Sequence, residues 1–136
     1  MTNPNFKRAS AVALAALSLT LIILIIACML PQITIKKIMK HIEPELRKAI
    51  NAVYRDDYAD ATFHSKRVLE VVSNNMRNME LFFHHGDIKE LYTSALTAAS
   101  IAAEKDPAQL LEELCGVAAS LEYLYRVNKL SVFNVF

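Results

Sequence analysis

Residues 9–30 read ASAVALAALSLTLIILIIACML, 22 consecutive positions without a charged side chain. Eleven are Val, Leu or Ile, and the only hydroxyls are Ser10, Ser18 and Thr20. As a helix the stretch rises about 33 Å, enough to cross a hydrocarbon core of about 30 Å. Its aliphatic residues contribute on the order of −3 to −6 kcal/mol toward insertion. Three hydroxyls that bond back to their own helix do not cancel that. The expected fate is a permanent single-pass anchor in the cell membrane, and two alternatives compete with it. Lys7 and Arg8 followed by Ile25-Ile26-Ala27-Cys28 roughly fit a lipoprotein signal, in which Cys28 would carry lipid. Ile26 is a poor residue for that motif, however, and Met29 and Leu30 continue the apolar run. An ordinary cleaved signal would need a small-x-small site followed by polar residues, which this stretch lacks.

Outward from this segment, composition narrows the rest. A chain of 136 residues leaves room for one further domain of ordinary size. With 54% hydrophobic residues and a net charge of +1, disorder is excluded. Two glycines and four prolines are too few for the turns of a sandwich or barrel. Two cysteines make neither a disulfide framework nor a four-thiolate zinc site. The near-neutral charge speaks against nucleic acid as a partner. What remains is an all-α chain: an N-terminal transmembrane helix followed by an antiparallel helical bundle of three to four helices. The expected divisions are a short basic tail at 1–8, the anchor at 9–30, a basic juxtamembrane helix at 31–43 and the bundle domain at 44–136.

The charges are segregated. Residues 33–55 carry Lys36, Lys37, Lys40, Arg47, Lys48 and Arg55 against Glu43 and Glu45, whereas from Asp56 onward twelve acidic residues face seven basic ones. Ile33, Ile35, Ile38, Met39 and Ile42 give this basic collar one apolar side. Lys36, Lys37 and Lys40 are candidate contacts for anionic headgroups, at about 1 kcal/mol per nearby cation. The plainer alternative is a solvated connector, and both readings put the collar beside the bilayer. Lys7 and Arg8 would hold the N-terminus in the cytoplasm and make the C-terminal domain extracytoplasmic, although the collar lysines count the other way.

Within the body, Pro44 suits the first turn of a helix. Asp56 or Asp57 caps a second helix expected to run to about Phe83, with Ala61, Val68, Val72, Met76 and Met79 inward. Gly86 would close it in the left-handed conformation, and Asp87 with Glu90 would form a capping box for a third helix. That helix buries Ile88, Leu91, Ala95, Ala99 and Ala102, its alanines permitting close approach. Asp106-Pro107-Ala108-Gln109 opens a fourth, with Leu110, Leu114, Val117, Ala118, Leu121 and Leu124 inward. The apolar residues 130–136 either fold back on the bundle or meet a partner.

Little of this looks like chemistry. No phosphate-cradling glycine loop, CxxC pair or HExxH helix is present. Cys115 reads as an inert core thiol of the fourth helix. The one polar cluster is Glu80, His84, His85, Asp87 and Glu90 around a helix–helix turn. Its plain reading is capping and dipole complementation. Its sharper one is a divalent metal held by His84, His85, Asp87 and Glu80. His41 and Glu45 receive no role, and His64 stands alone.

A single N-terminal apolar segment, Asp57-Tyr58-Ala59-Asp60-Ala61, Phe83-His84-His85 with Asp87-Ile88, and the terminal Asn134-Val135-Phe136 together resemble a domain-of-unknown-function family of spore-forming, Gram-positive bacteria. The likeness runs from the anchor to the last residue. Val71, Val72 and Met76 stand where that family carries tryptophans. The resemblance implies a membrane-tethered helical protein and supplies no activity or catalytic residue. The expected function is therefore a non-enzymatic, cofactor-free accessory protein. It would present its bundle to another membrane or envelope protein, or to a second copy of itself. The alternative is a small-ligand or metal-binding sensor built on the His84–His85 turn.

Overall fold

The computed structural model describes residues 4–133, with side chains described for residues 11–129. Among them are four helices and no strand: α1 (Pro4–Tyr54), α2 (Tyr58–Met79), α3 (His85–Ile101) and α4 (Pro107–Phe133). The chain divides into two compact units, residues 1–30 and residues 31–136. The protein is all-α, as its composition requires.

In the first unit the helix is uniformly apolar, and its described large side chains, from Val12 to Leu30, are exposed. Ser18 Oγ donates to the Leu14 carbonyl at 2.9 Å, and Thr20 Oγ1 to that of Leu17 at 2.8 Å. The Ser18 and Thr20 hydroxyls are thus satisfied inside the helix, and α1 is long and apolar enough to cross a membrane.

The second unit is a bundle whose first member is the remainder of α1. Pro44 does not start a helix; it and Pro31 both lie inside α1. An interior proline forfeits one backbone bond and costs about 3 kcal/mol. Pro44 is exposed, however, so water can reach the carbonyl left unbonded beside it. On the opposite side Ile35, Ile38, Ile42, Leu46, Ala49 and Val53 form an unbroken buried stripe. Tertiary packing of that stripe outweighs the local breaker.

Neighbouring helices run antiparallel. Along α1 and α2, Glu45 meets His64, His41 shares a groove with Asn74 and Asn75, and Ile33 shares one with Leu81 and Phe82. Lys36 Nζ lies 5.8 Å from the centre of the Tyr125 ring, which brings α4 against α1. Gly116 of α4 closely approaches Ser94 of α3, where a Cβ would come within 3.2 Å of the Ser94 hydroxyl. The alanines of α3 act as expected: α3 makes the closest backbone approaches, to α4 and to α2. Val68, Val72, Met79, Ile88, Leu91, Leu110, Leu114, Val117, Leu121 and Leu124 complete one continuous core with the α1 stripe.

The links depart from expectation in instructive ways. At the end of α1, Asp56 takes a positive φ of 56°. The Asp56 and Asp57 amides donate back to the Val53 and Ala52 carbonyls, so an aspartate does what glycine usually does. Asp57 then caps α2, its carboxylate accepting from the Asp60 amide at 3.1 Å. Helix α2 stops at Met79, short of Phe83. Both the Phe82 and Phe83 amides turn back onto the Met79 carbonyl at 2.9 Å. Gly86 has no positive φ; it lies in the first turn of α3, which His84 caps by accepting the Gly86 amide at 3.2 Å. Asp87 is therefore a first-turn acid, not a cap. Asp106 caps α4 as read from sequence, accepting from the Gln109 amide at 3.1 Å. Cys115 is exposed, not core, because the buried positions 110, 114, 117, 121 and 124 place it beside the stripe. Ala118 is likewise exposed. Helix α4 continues to Phe133. Whether the terminal side chains pack on the bundle concerns positions 130–136, which lie outside the described side chains.

Two substitutions with opposite signs test this account in urea unfolding. Asp56→Gly relieves a left-handed non-glycine residue and should raise stability by up to about 1 kcal/mol. Leu114→Ala should lower it by roughly 2–5 kcal/mol by opening a cavity.

Candidate functional site

The His84–His85 turn does not assemble into a metal centre. His84 Nδ1 is occupied by the α3 cap. His85 Nδ1 stands 3.5 Å from Glu80 Oε1, with both side chains open to water. Asp87 lies along an α3–α4 groove with Glu90, Gly116, Ser120 and Tyr123. Among the described residues no three His, Cys, Asp or Glu side chains are placed to hold a metal ion. Cys28 is half-exposed on α1.

Lys36, Lys37 and Lys40 are all exposed on α1, within the unit that begins at Pro31. Lys36 is steadied by the Tyr125 ring, a contact worth about 0.5–1 kcal/mol at an exposed site. Lys37 lines the groove shared with Ile33, Asn78, Leu81 and Phe82, and Lys40 the α1–α4 groove with Glu43, Arg47 and Ile50. The basic collar is therefore the outer face of a bundle helix whose inner face is core.

The most organised polar group is one that sequence reading passed over. His64, only 9% exposed, sits between two carboxylates. Its Nδ1 is 2.6 Å from Glu45 Oε2 on α1, and its Nε2 is 3.3 Å from Asp60 Oδ1 one turn back on α2. Asp60 Oδ2 accepts from Arg55 at 3.1 Å, and Glu45 Oε1 from Lys48 at 3.3 Å. Both ring nitrogens face carboxylate oxygens, and only the doubly protonated ring donates to both. The Asp60–His64 spacing of four was visible in the sequence; the partner nineteen residues away was not. Each carboxylate is already matched by cations, and the surface grooves are lined by other residues. The cluster's chemistry is thus that of a clamp between α1 and α2.

No protein-family model, no curated protein and no solved structure matches this chain.

The hydrogen bond from His64 holds the Glu45 carboxyl below its ordinary range, against the opposing effect of burial and with help from Lys48. A carboxyl depressed by folding contributes stability above its unfolded pKa and loses it as pH falls through the folded value. Glu45→Gln should therefore cost roughly 1–3 kcal/mol at neutral pH. That gap to the unsubstituted protein should shrink once pH drops below the ordinary glutamate value of about 4.3. Urea titrations of both proteins from neutral to acidic pH measure it. A gap independent of pH would contradict the clamp. Asp60, Arg55 and Lys48, which share the cluster, are common to both proteins and drop out of the comparison.

Proposed function

We propose that this chain is a single-pass, membrane-anchored adaptor, without enzymatic activity, that presents a helical bundle to a membrane or envelope protein. One observation carries the reading. Over residues 11–30 the helix exposes Val12, Leu14, Leu17, Leu19 and every large aliphatic after them through Ile26, and among the described residues of that unit no second element covers them. An exposed apolar surface of this length is untenable in water and native in lipid. The bundle needs no help from that segment, because residues 31–136 supply their own core.

In this reading Lys36, Lys37 and Lys40 meet the headgroup layer, Lys7 and Arg8 keep the N-terminus cytoplasmic, and the bundle faces outward. The resemblance to membrane-tethered proteins of spore-forming bacteria accords with it. Lipid attachment at Cys28 is the variant in which processing removes residues 1–27 and leaves the unit at 31–136 intact. For a metal-binding role at the His84–His85 turn no comparable observation speaks, since the cap and the Glu80 contact already engage both rings.

Full-length protein should stay in the membrane pellet through carbonate extraction, whereas a chain lacking residues 1–30 should be soluble without detergent and keep its helical signal. Full-length protein that washes free would defeat the anchor. Protease added to intact cells should digest the bundle, and survival of the bundle would reverse the orientation. Cross-linking in membranes should return a stoichiometric membrane or envelope protein; recovery of the bait alone would count against the adaptor role.

A further inference from the structure

The bundle's two ends are chemically unlike. At one end lie the α1–α2 link, Arg55-Asp56-Asp57, and the α3–α4 link, Ala102-Ala103-Glu104-Lys105-Asp106, whose last three residues are charged. At the other, where the chain enters the unit at Pro31, the α2–α3 link reads Glu80-Leu81-Phe82-Phe83-His84. Leu81 is 73% exposed, the most open aliphatic side chain described in this unit, and Ile33 is 55% exposed. The two residues share one groove with Lys37 and Phe82. Ile33 follows Leu30 by three residues, about 5 Å of helix rise. A bilayer holding residues 9–30 therefore ends within a few residues, along the chain, of Ile33. Within the unit at 31–136, Leu81 and Phe82 share the groove of Ile33.

We propose that the α2–α3 turn is a second membrane contact, with Leu81 and Phe82 inserted at the headgroup–acyl boundary beside the anchor. The proposal rests on the membrane-anchored reading and adds a specific lipid-facing surface to it. The occupant is a lipid surface because the exposed Leu81 shares its groove with Ile33, three residues after the apolar segment, and with Lys37. An apolar point beside a cation suits an anionic interface. It also accounts for the exposure of Leu81 at a turn whose Phe83 packs against the core. The contact would tether the bundle at two points and limit its swing about the anchor.

The chain contains no tryptophan, so Leu81→Trp and Tyr54→Trp each introduce a single indole. Tyr54, 74% exposed at the charged end, is the aqueous reference. Both full-length variants are reconstituted into vesicles of phosphatidylcholine with phosphatidylglycerol and recovered by flotation. The indole at position 81 should emit to the blue of the one at position 54. It should also lose intensity to lipids brominated near the headgroup while resisting aqueous iodide. Floated protein whose position-81 indole is quenched by iodide and not by brominated lipid would overturn the proposal and leave the anchor standing. Shielding from both quenchers would overturn it in favour of a protein covering the turn. Failure to float would remove both the anchor and this contact.

Discussion

Burial of one stripe on α1 is the constraint on which the bundle depends. Ile35, Ile38, Ile42, Leu46, Ala49 and Val53 lie on one side of a helix whose other side carries Lys36, Lys37, Lys40, Arg47 and Lys48. That stripe belongs to the same core as Val68, Val72, Leu121 and Leu124, so α1 from residue 31 onward is a structural member of the bundle. Within one helix, then, the pattern changes from apolar all round to apolar on one side. The change coincides with the division at Pro31. The all-round apolar pattern is long enough to suit lipid on every side, and the one-sided pattern suits protein on one side and water on the other.

The same logic explains how the links are spent. Both glycines are taken by close approach or a helix first turn, so the left-handed positions fall to Asp56 and Lys105. A charged residue in that conformation is tolerated where its side chain is free in water, which suits the end away from Pro31. The α2–α3 turn avoids positive φ altogether, and His84 supplies the extended residue and the cap together. Its sequence places Leu81, Phe82 and Phe83 between Glu80 and His84.

Much of the fold was legible because the helices repeat strongly. The stripe of α3, the stripe of α4 apart from Ala118, and the Asp106 cap were read correctly from spacing alone, and Asp57 was one of two caps weighed. The misreadings share a cause: local signals were trusted where tertiary packing decided. Pro44 looked like a helix start, yet the α1 stripe runs past it; Gly86 looked like a terminator, yet the chain reverses earlier, at Met79. Cys115 and Ala118 were assigned to the core from composition, though the stripe of α4 passes beside them. The His64 cluster lay beyond sequence reading for a different reason. Its Glu45 partner sits on another helix, and no periodicity encodes a contact between helices.

That cluster also ties the two halves of the functional picture together. Apolar stripes of similar side chains tolerate sliding by one helical turn, about 5.4 Å, because each buried residue finds an equivalent neighbour. The hydrogen bond of 2.6 Å between Glu45 on α1 and His64 on α2 does not survive such a slip, whereas Asp60 faces the other ring nitrogen from α2 itself. The clamp sets which residues of α2 stand opposite which residues of α1. With Glu45 against His64, antiparallel counting brings the start of α1 in this unit to the end of α2, and so Ile33 and Lys37 to Leu81 and Phe82. A slip of one turn would carry the turn's apolar tip away from the lysines and from the level at which the chain leaves the bundle. The Glu45–His64 contact thus sets the register that places Leu81 and Phe82 beside Ile33 and Lys37.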